Sequence, residues 1–340
     1  MIVSTKSAQT VDSRVDLAQP VSEGALFVDA HVHFHDAFNL DRFLGAARRN
    51  IAAGARQAGE PAVAAGCLLM TESAGTNYFW KWMRQARESG SGAFALTAED
   101  CSLFVPPPCH GPGPSAHRRT SVAGCVAPGP MSNDKTAASI YGVTDQDDVA
   151  LYVIAGRQIV CSENLEVLAL MTSSQFPELR PIRETIRAVL DAGALAVLPW
   201  GFGKWSGGRG RVIREIIDTT RPDRVFLGDN GGRLVMGQRP ALFAHGESLG
   251  WMTLPGSDPL PMKAQAVRAG SYGCVLRGAF DPHRPASSIR TMLMGLPRTP
   301  RTFGQLEGLG GFIRSQIAMQ WRKRFQKSPT NYSRENAAAI

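Results

Sequence analysis

The sequence lacks the features that most readily assign a chain to a functional class. No apolar run approaches the roughly 20 residues that a membrane-spanning helix needs, so we expect no membrane partner. The N-terminus has no apolar core of the kind found in secretory signals, and none of the six cysteines belongs to a Cys-X-X-Cys pair. We therefore expect a cytoplasmic protein whose cysteines are reduced.

Positive charge is concentrated late in the chain. The formal net charge is +8, and much of the excess comes from Arg298, Arg301, Arg314, Arg322, Lys323, Arg324 and Lys327. An RNA-binding sheet would also require aromatic residues interleaved with the basic ones, and that pattern is absent. We therefore expect a solvated basic tail and no nucleic-acid partner, and the oligomeric state is left open.

The composition predicts a globular protein with three segments. Of the 340 residues, 44% are hydrophobic and 19% are charged, which provides ample material for a core. Residues 1–23 are polar and without periodicity, which indicates a flexible N-terminal segment. Residues 24–295 carry the ordered pattern, interrupted at about 105–139 by an irregular insertion rich in proline and glycine. Residues 296–340 are interpreted as a C-terminal helix and the basic tail.

Strand-like and helix-like segments alternate through the ordered part of the chain. Strands are expected at 26–32, 62–70, 194–199 and 224–228, helices at about 40–57, 181–192 and 209–218, and a strand or hairpin at 151–160 and 165–171. The alternation favours a parallel sheet, and no glycine-rich dinucleotide loop is present to indicate an open doubly wound one. The predicted fold is therefore α/β, a distorted TIM-like (β/α) barrel with parallel strands.

Polar residues that could carry chemistry follow several of the predicted strands. In a β/α barrel the functional groups lie at the C-terminal ends of the strands. The candidates at such positions are His31, His33, Glu72, the loop after Trp200, Asp229 and Asp258. We expect them to meet at the mouth of the barrel.

A cluster of three histidines lies at the end of the first predicted strand. His31 and His33 are two residues apart, so on a strand both side chains point to the same face. Two imidazoles can bind one divalent ion, and zinc, manganese and iron all accept imidazole nitrogen. His35 could supply a further ligand, and Asp29 could orient a ligand as a hydrogen-bond acceptor. The alternative is a pair of hydrogen-bonded core histidines.

Four carboxylates are candidate partners of the histidines. Asp258 could bind metal and act as a general base toward a bound water, although its Gly-Ser-Asp-Pro context also fits a turn. Glu166 lies among apolar residues, where it is either a metal ligand, an ion-paired core residue or a residue on an exposed strand face. Glu72 is either a ligand or part of a solvated loop. Asp229 could bind metal, or it could cap a helix or close a turn.

A glycine-rich loop and one arginine could form a substrate wall. Trp200, Lys204 and Trp205 lie between Pro199 and Arg209, which suits contact with an anionic small molecule. The same loop could instead pack its aromatic rings beneath the rim of the barrel. Arg233 could hold an anionic group through its planar guanidinium.

The segment Asp29-Ala30-His31-Val32-His33 resembles the opening metal motif of two superfamilies of metal-dependent hydrolase barrels. One is the polymerase and histidinol phosphatase (PHP) superfamily and the other is the amidohydrolase superfamily. The PHP pattern also has a metal-bridging glutamate, matched here by Glu166, and a late Gly-Ser-Asp, matched by residues 256–258. The resemblance covers most of residues 26–280.

The chain departs from the PHP pattern at three histidines. Ser73 and Leu260 stand where that pattern has histidine, and its His-Pro strand end is replaced by Leu198-Pro199-Trp200, which has no histidine. For the amidohydrolase pattern, Asp258 matches the final aspartate, whereas the two histidines expected on successive strands are missing. The resemblance implies one metal ion, or two with unusual ligands.

The resemblance implies a metal-dependent hydrolase. The expected activity is hydrolysis of a phosphoester in a small anionic substrate by a metal-activated water. The implied metal ligands are His31, His33, Glu166 and Asp258, with Asp258 and Lys204 as catalytic groups. One alternative is amidohydrolase-type cleavage of a C–N bond or a lactone. Another is a barrel without catalysis that serves as a binding or scaffolding protein.

Overall fold

The computed structural model describes residues 24–60, 62–89, 93–106, 149–314 and 316–317. The predicted flexible segment 1–23 and most of the predicted insertion 105–139 lie outside the described residues, as does the basic tail beyond 317. The described chain is a mixed α/β structure with two sheets, one of seven strands and one of five.

The first sheet has the strand order β12-β11-β1-β2-β5-β4-β3. Its strands are β1 (Ala25–Val32), β2 (Val63–Met70), β3 (Ala95–Leu96), β4 (Ser102–Val105), β5 (Leu151–Ile154), β11 (Tyr272–Arg277) and β12 (Arg301–Gly304). Only the β1–β2 and β2–β5 pairs are parallel. Because β12 belongs to this sheet, the folded part continues past residue 295, where the sequence placed the end of the main domain.

The second sheet has the strand order β10-β9-β8-β7-β6. Its strands are β6 (Gly156–Val160), β7 (Glu166–Leu170), β8 (Leu195–Pro199), β9 (Val225–Asn230) and β10 (Thr253–Gly256). Strands β8, β9 and β10 are parallel, whereas β6 and β7 form an antiparallel hairpin and β7 also runs antiparallel to β8.

The predicted TIM-like barrel is wrong. Among the described residues neither sheet closes on itself, and the strand order is not that of a β/α barrel. The reason lies in the short connections. Only residues 161–165 join β6 to β7, with Asn164 in a left-handed conformation (φ 55°), whereas a parallel pair needs a crossover of a dozen residues or more. The alternating pattern identified the strands but not the direction in which they pair.

Helices pack around the two sheets. They are α1 (Leu40–Ala58), α2 (Tyr78–Ser89), α3 (Ile182–Asp191), α4 (Gly207–Thr219), α5 (Ala241–Ser248) and α6 (Pro285–Met294), with a 3-10 helix at Lys263–Arg268. The predicted helix 40–57 is α1, which begins at the N-cap Asn39 and ends at Gly59 in a left-handed conformation. None of the described helices is long and apolar enough to cross a membrane.

Three apolar clusters set the order of the layers. One face of the first sheet, including Phe27 and Leu68, packs against α1 and α2. Its other face, including Leu26, packs against residues of the second sheet such as Leu168. The far face of the second sheet packs against α3, α4 and α5. The protein is therefore a helix–sheet–sheet–helix sandwich, because each sheet buries both of its faces.

The two sheets meet at the ends of β1 and β10. The Asp258 amide donates to the His31 carbonyl at 2.8 Å, just beyond β10. A Cβ added at Gly256 would lie 2.3 Å from the His31 Cβ, so glycine permits this approach of the two backbones. The candidate site is built at this junction.

Candidate metal centre

Three potential metal ligands converge where the sheets meet. The Nε2 atoms of His31 and His33 are 3.1 Å apart. The Asp258 Oδ1 atom is 3.7 Å from the first of these nitrogens and 3.6 Å from the second. Both histidines are buried, and the Asp258 side chain is 18% exposed. Each of the three therefore turns one lone-pair atom toward a shared point.

The spacing of these atoms suits a single small cation. A circle through three points with these separations has a radius of about 2.0 Å. Zinc binds imidazole nitrogen and carboxylate oxygen at about 2.0–2.2 Å. These three residues could thus hold one ion together at the distances that such an ion prefers. The residues present therefore fit a divalent metal with no movement of the backbone.

The electrostatics of the site also suit a cation. Burial, and next the neighbouring His31 ring, lower the pKa of His33 to about 3. Burial opposes ionisation of Asp258, yet the His31 and His33 rings beside it lower the pKa of its carboxyl overall. At neutral pH the site offers a carboxylate and at least one neutral imidazole, which are the protonation states that metal binding requires.

Asp258 has an unusual backbone conformation. Its φ is 45°, in the left-handed region that most residues with a side chain avoid, and Pro259 follows it. Its amide bonds the His31 carbonyl, and the Asn230 side-chain amide donates to its Oδ2 atom. Strained conformations of this kind persist where the surrounding structure fixes them, and they are concentrated at functional sites.

Asp29 is hydrogen-bonded to residues around the site, and its carboxylate does not face the cation position. It is fully buried and accepts hydrogen bonds from the Ser257 amide (2.8 Å), the Ser257 hydroxyl (2.5 Å), the Gly270 amide (2.8 Å) and the His31 amide (3.3 Å). Burial raises its pKa to about 7, although these hydrogen bonds act in the opposite direction. Asp29 thus ties the end of β1 to the segment that carries Asp258.

His33 has a further partner that sequence reasoning missed. Its ring hydrogen-bonds the side chain of Gln158 on β6. The backbone N–H of Gln158 in turn donates to the Glu72 carbonyl at 2.9 Å, and this bond fixes Gln158 beside the site. A second hydrogen bond of this type sets the orientation of a metal-binding imidazole. No local pattern around Gln158 distinguishes it, because its contact with His33 spans more than 120 positions in the chain.

His35 lies at the rim of the site, outside the group of three. Its Nε2 atom is 2.9 Å from the Pro259 carbonyl oxygen, so that nitrogen serves as a donor. Its ring stacks on His33 with 5.6 Å between ring centroids. In this arrangement His35 packs against the ligands and does not supply a lone pair to the cation position.

Glu166 and Lys204 form an ion pair near Asp258. Glu166 begins β7, and because β7 runs antiparallel to β8, it lies at the same edge as the C-terminal end of β8. Its carboxylate contacts the Lys204 ammonium, which also acts electrostatically on Asp258. The Lys204 side chain is 37% exposed, so the pair lies at the solvent side of the site.

Glu72 is buried and fully engaged elsewhere. It accepts hydrogen bonds from the amides of Tyr78 (2.5 Å) and Phe79 (3.1 Å) at the start of α2, and it lies 3.4 Å from the Arg157 guanidinium. Burial raises its pKa, although these partners act in the opposite direction. Glu72 thus accepts hydrogen bonds from backbone N–H groups that have no partner within the helix. It is not among the three converging ligands.

Asp229 and Arg233 bind one another. The guanidinium donates from Nε and Nη2 to the two carboxylate oxygens, both at 2.9 Å. Asp229 also accepts hydrogen bonds from the Tyr272 hydroxyl (2.8 Å) and from the backbone N–H of Asn230 (2.9 Å). The predicted metal ligand and the predicted anion-binding arginine therefore form a buried structural pair, since each uses its main contacts on the other.

The two predicted wall residues Trp200 and Trp205 pack inward. Both are partly buried against the cluster on the far face of the second sheet. The Trp205 ring lies 5.3 Å from the Phe243 ring, centroid to centroid. The loop therefore packs its tryptophans on the core, while Lys204 turns toward the site.

Comparisons with known proteins assign no family to the chain. No family model matches it, and no curated protein does. Among solved structures, it is similar to PsfC from Pseudomonas syringae PB-5123, with 12% identity and a TM-score of 0.43 over 88% of this chain and 99% of that one. A likeness of that size carries no information on function. The resemblance to the PHP and amidohydrolase patterns thus stays a prediction.

Proposed function

We propose that this protein is a metal-dependent hydrolase that acts on a small anionic substrate, most simply a phosphoester. The observation that carries the proposal is the convergence of His31, His33 and Asp258, whose ligand atoms lie 3.1–3.7 Å from one another. Two imidazoles and one carboxylate are a ligand set used by zinc hydrolases and by non-haem iron sites. Zinc, manganese and iron all remain candidates for the ion.

The chain's own residues would divide the work as follows. His31, His33 and Asp258 would hold the ion, and Gln158 would orient the His33 ring. A divalent ion in such a site lowers the pKa of a bound water toward 7 and so supplies a nucleophile. Asp258, the one carboxylate in the group, lies where it could accept the proton of that water.

Lys204 is the proposed contact for the anionic part of the substrate. Its side chain is 37% exposed, and its ammonium pairs with Glu166 and acts electrostatically on Asp258. Arg233 is left out of the proposed site because it is buried and Asp229 binds its guanidinium, whereas Lys204, although paired with Glu166, is partly exposed. An anionic group bound at Lys204 would be held close to Asp258 and so near the proposed ion.

Metal analysis of the purified protein tests the site directly. We expect close to one equivalent of a divalent transition metal after reconstitution, and less than about a tenth of an equivalent in a His31→Ala/His33→Ala variant. His245→Ala is the matched control, because His245 pairs with Asp218 away from the site. Equal metal content in the double variant and the control would refute the proposed centre.

A panel of phosphoesters, lactones and amides then tests the reaction. We expect phosphoester turnover that requires the metal and that falls at least tenfold in Lys204→Met. Turnover of an amide or lactone without any phosphoester would replace the proposed substrate class with the amidohydrolase type. Tight metal binding without turnover of any class would favour the binding or scaffolding role.

A further inference from the structure

Asn230 holds the Asp258 carboxylate from the side opposite the histidines. Its Nδ2 atom donates a short hydrogen bond to Asp258 Oδ2, while Oδ1 of the same carboxylate faces the His31 and His33 nitrogens. The two carboxylate oxygens therefore have different partners. One is engaged by the protein, and the other is directed at the cation position.

The orientation of the Asn230 amide follows from its second contact. Its Oδ1 atom accepts a hydrogen bond from the Gly232 amide at 2.6 Å. A flipped amide would place an NH2 group against that N–H donor, so the nitrogen must face Asp258. Asn230 ends β9 in register with Gly256, two residues before Asp258, so the sheet itself sets its distance from the carboxylate.

We infer that Asn230 is a positioning residue that restricts Asp258 to coordination through one oxygen. This inference rests on the proposed metal site. With Oδ2 bound to Asn230, Asp258 would present Oδ1 alone to a cation beside the histidines. Without the Asn230 donor, the carboxylate is free to rotate and to present both oxygens to the ion. Partners of this kind typically change metal affinity or activity by about 10- to 100-fold.

Two substitutions separate this role from the turn that Asn230 also forms. Asn230→Ser keeps an acceptor for the Gly232 amide but loses the NH2 donor to Asp258. Asn230→Ala loses both contacts. Asn50→Ala is the matched control, because the Asn50 amide also serves as a donor but to the carbonyls of Val267 and Ala269, both at 2.8 Å.

The experiment is titration of the full-length metal-free protein with Co²⁺, followed by the visible absorption spectrum at saturation. We expect about 10- to 100-fold weaker Co²⁺ binding in both Asn230 variants. We also expect weaker absorption at saturation, because two-oxygen coordination raises the coordination number. Asn50→Ala should lower the thermal unfolding temperature without changing the spectrum.

The outcomes distinguish this inference from the proposal on which it rests. Absence of Co²⁺ binding in the unsubstituted protein would refute the metal site itself. Tight binding there, with the same affinity and spectrum in both Asn230 variants, would overturn the positioning role and leave the metal site intact. A changed spectrum in Asn230→Ala alone would assign the effect to the turn and would also overturn the inference.

Discussion

Two kinds of acidic residue occur within or just after the strands, and they differ in their partners. Asp29, Glu72 and Asp229 each accept several hydrogen bonds from amides, hydroxyls or a guanidinium. Asp258 has one oxygen on Asn230 and turns the other toward two imidazole nitrogens. The difference shows that position after a strand does not define a metal ligand. What distinguishes Asp258, the proposed ligand, is a carboxylate oxygen that lies beside two imidazole nitrogens.

The largest loss of stability is expected when the buried ion pair of Asp229 with Arg233 is broken. Arg233→Met leaves the Asp229 carboxylate buried without its cation, so the free energy of unfolding should fall by about 3–5 kcal/mol. Urea unfolding measures this. Arg183→Met, which removes an exposed pair with Glu215, should cost less than about 1 kcal/mol. If folded Arg233→Met protein failed to bind metal, Arg233 would belong to the metal site. The distinction between structural acids and the proposed ligand Asp258 would then fail.

A smaller loss is expected at Asp29. In Asp29→Asn an NH2 group must face at least one buried N–H donor, which should reduce the free energy of unfolding by roughly 2 kcal/mol. Because burial raises the pKa of Asp29 to about 7, the native state binds this proton more tightly than the unfolded chain. Its contribution therefore weakens stability as the pH rises from about 4 to about 7, and is constant above that.

Chemical denaturation across that pH range checks the sign. The fall in stability from pH 4 to pH 7 should be shallower in Asp29→Asn than in the unsubstituted protein. Identical slopes in the two proteins would mean that the Asp29 carboxyl titrates as it does in the unfolded chain.

The smallest effect on stability is expected at Asp258 itself. Asp258→Gly loses the hydrogen bond to Asn230 but relieves a left-handed backbone, so the free energy of unfolding should change by no more than about 1 kcal/mol. Metal binding should nevertheless be lost. Urea unfolding and metal analysis of one preparation test both statements. A destabilisation above about 3 kcal/mol would group Asp258 with the structural acids.

The local pattern of the sequence predicted many elements of the fold. The strands at 26–32 and 194–199 and the helix at 40–57 correspond to described elements. Of the predicted hairpin, only 156–160 pairs with 166–170, because 151–154 is a strand of the other sheet. The barrel was wrong because hydrophobic periodicity does not specify the direction in which strands pair. Two sheets with buried faces and a closed barrel bury the same apolar residues, so their sequences alternate in the same way.

The candidate site divides along the same line. His31 and His33 could be chosen from their spacing on one strand, and Asp258 from its place after a late one. Asp229 and Glu72 had equally suitable positions. Arg157, the partner of Glu72, is distant in sequence, and Arg233, the partner of Asp229, had been interpreted as an anion-binding residue. Asn230 was missed although it follows Asp229 directly, because an asparagine after a strand is ordinary turn chemistry until its amide is seen beside a carboxylate.

The close approach of β1 and β10 at Gly256 has a consequence for folding. His31 belongs to the first sheet and Asp258 follows the last strand of the second, so a bound ion would be a cross-link between two separately hydrogen-bonded layers. An ion that binds only the native arrangement adds about 2.7 kcal/mol of stability at a concentration 100 times its Kd. Metal supply would then affect the chemistry at the junction. It would also affect how cooperatively the two sheets of the sandwich unfold.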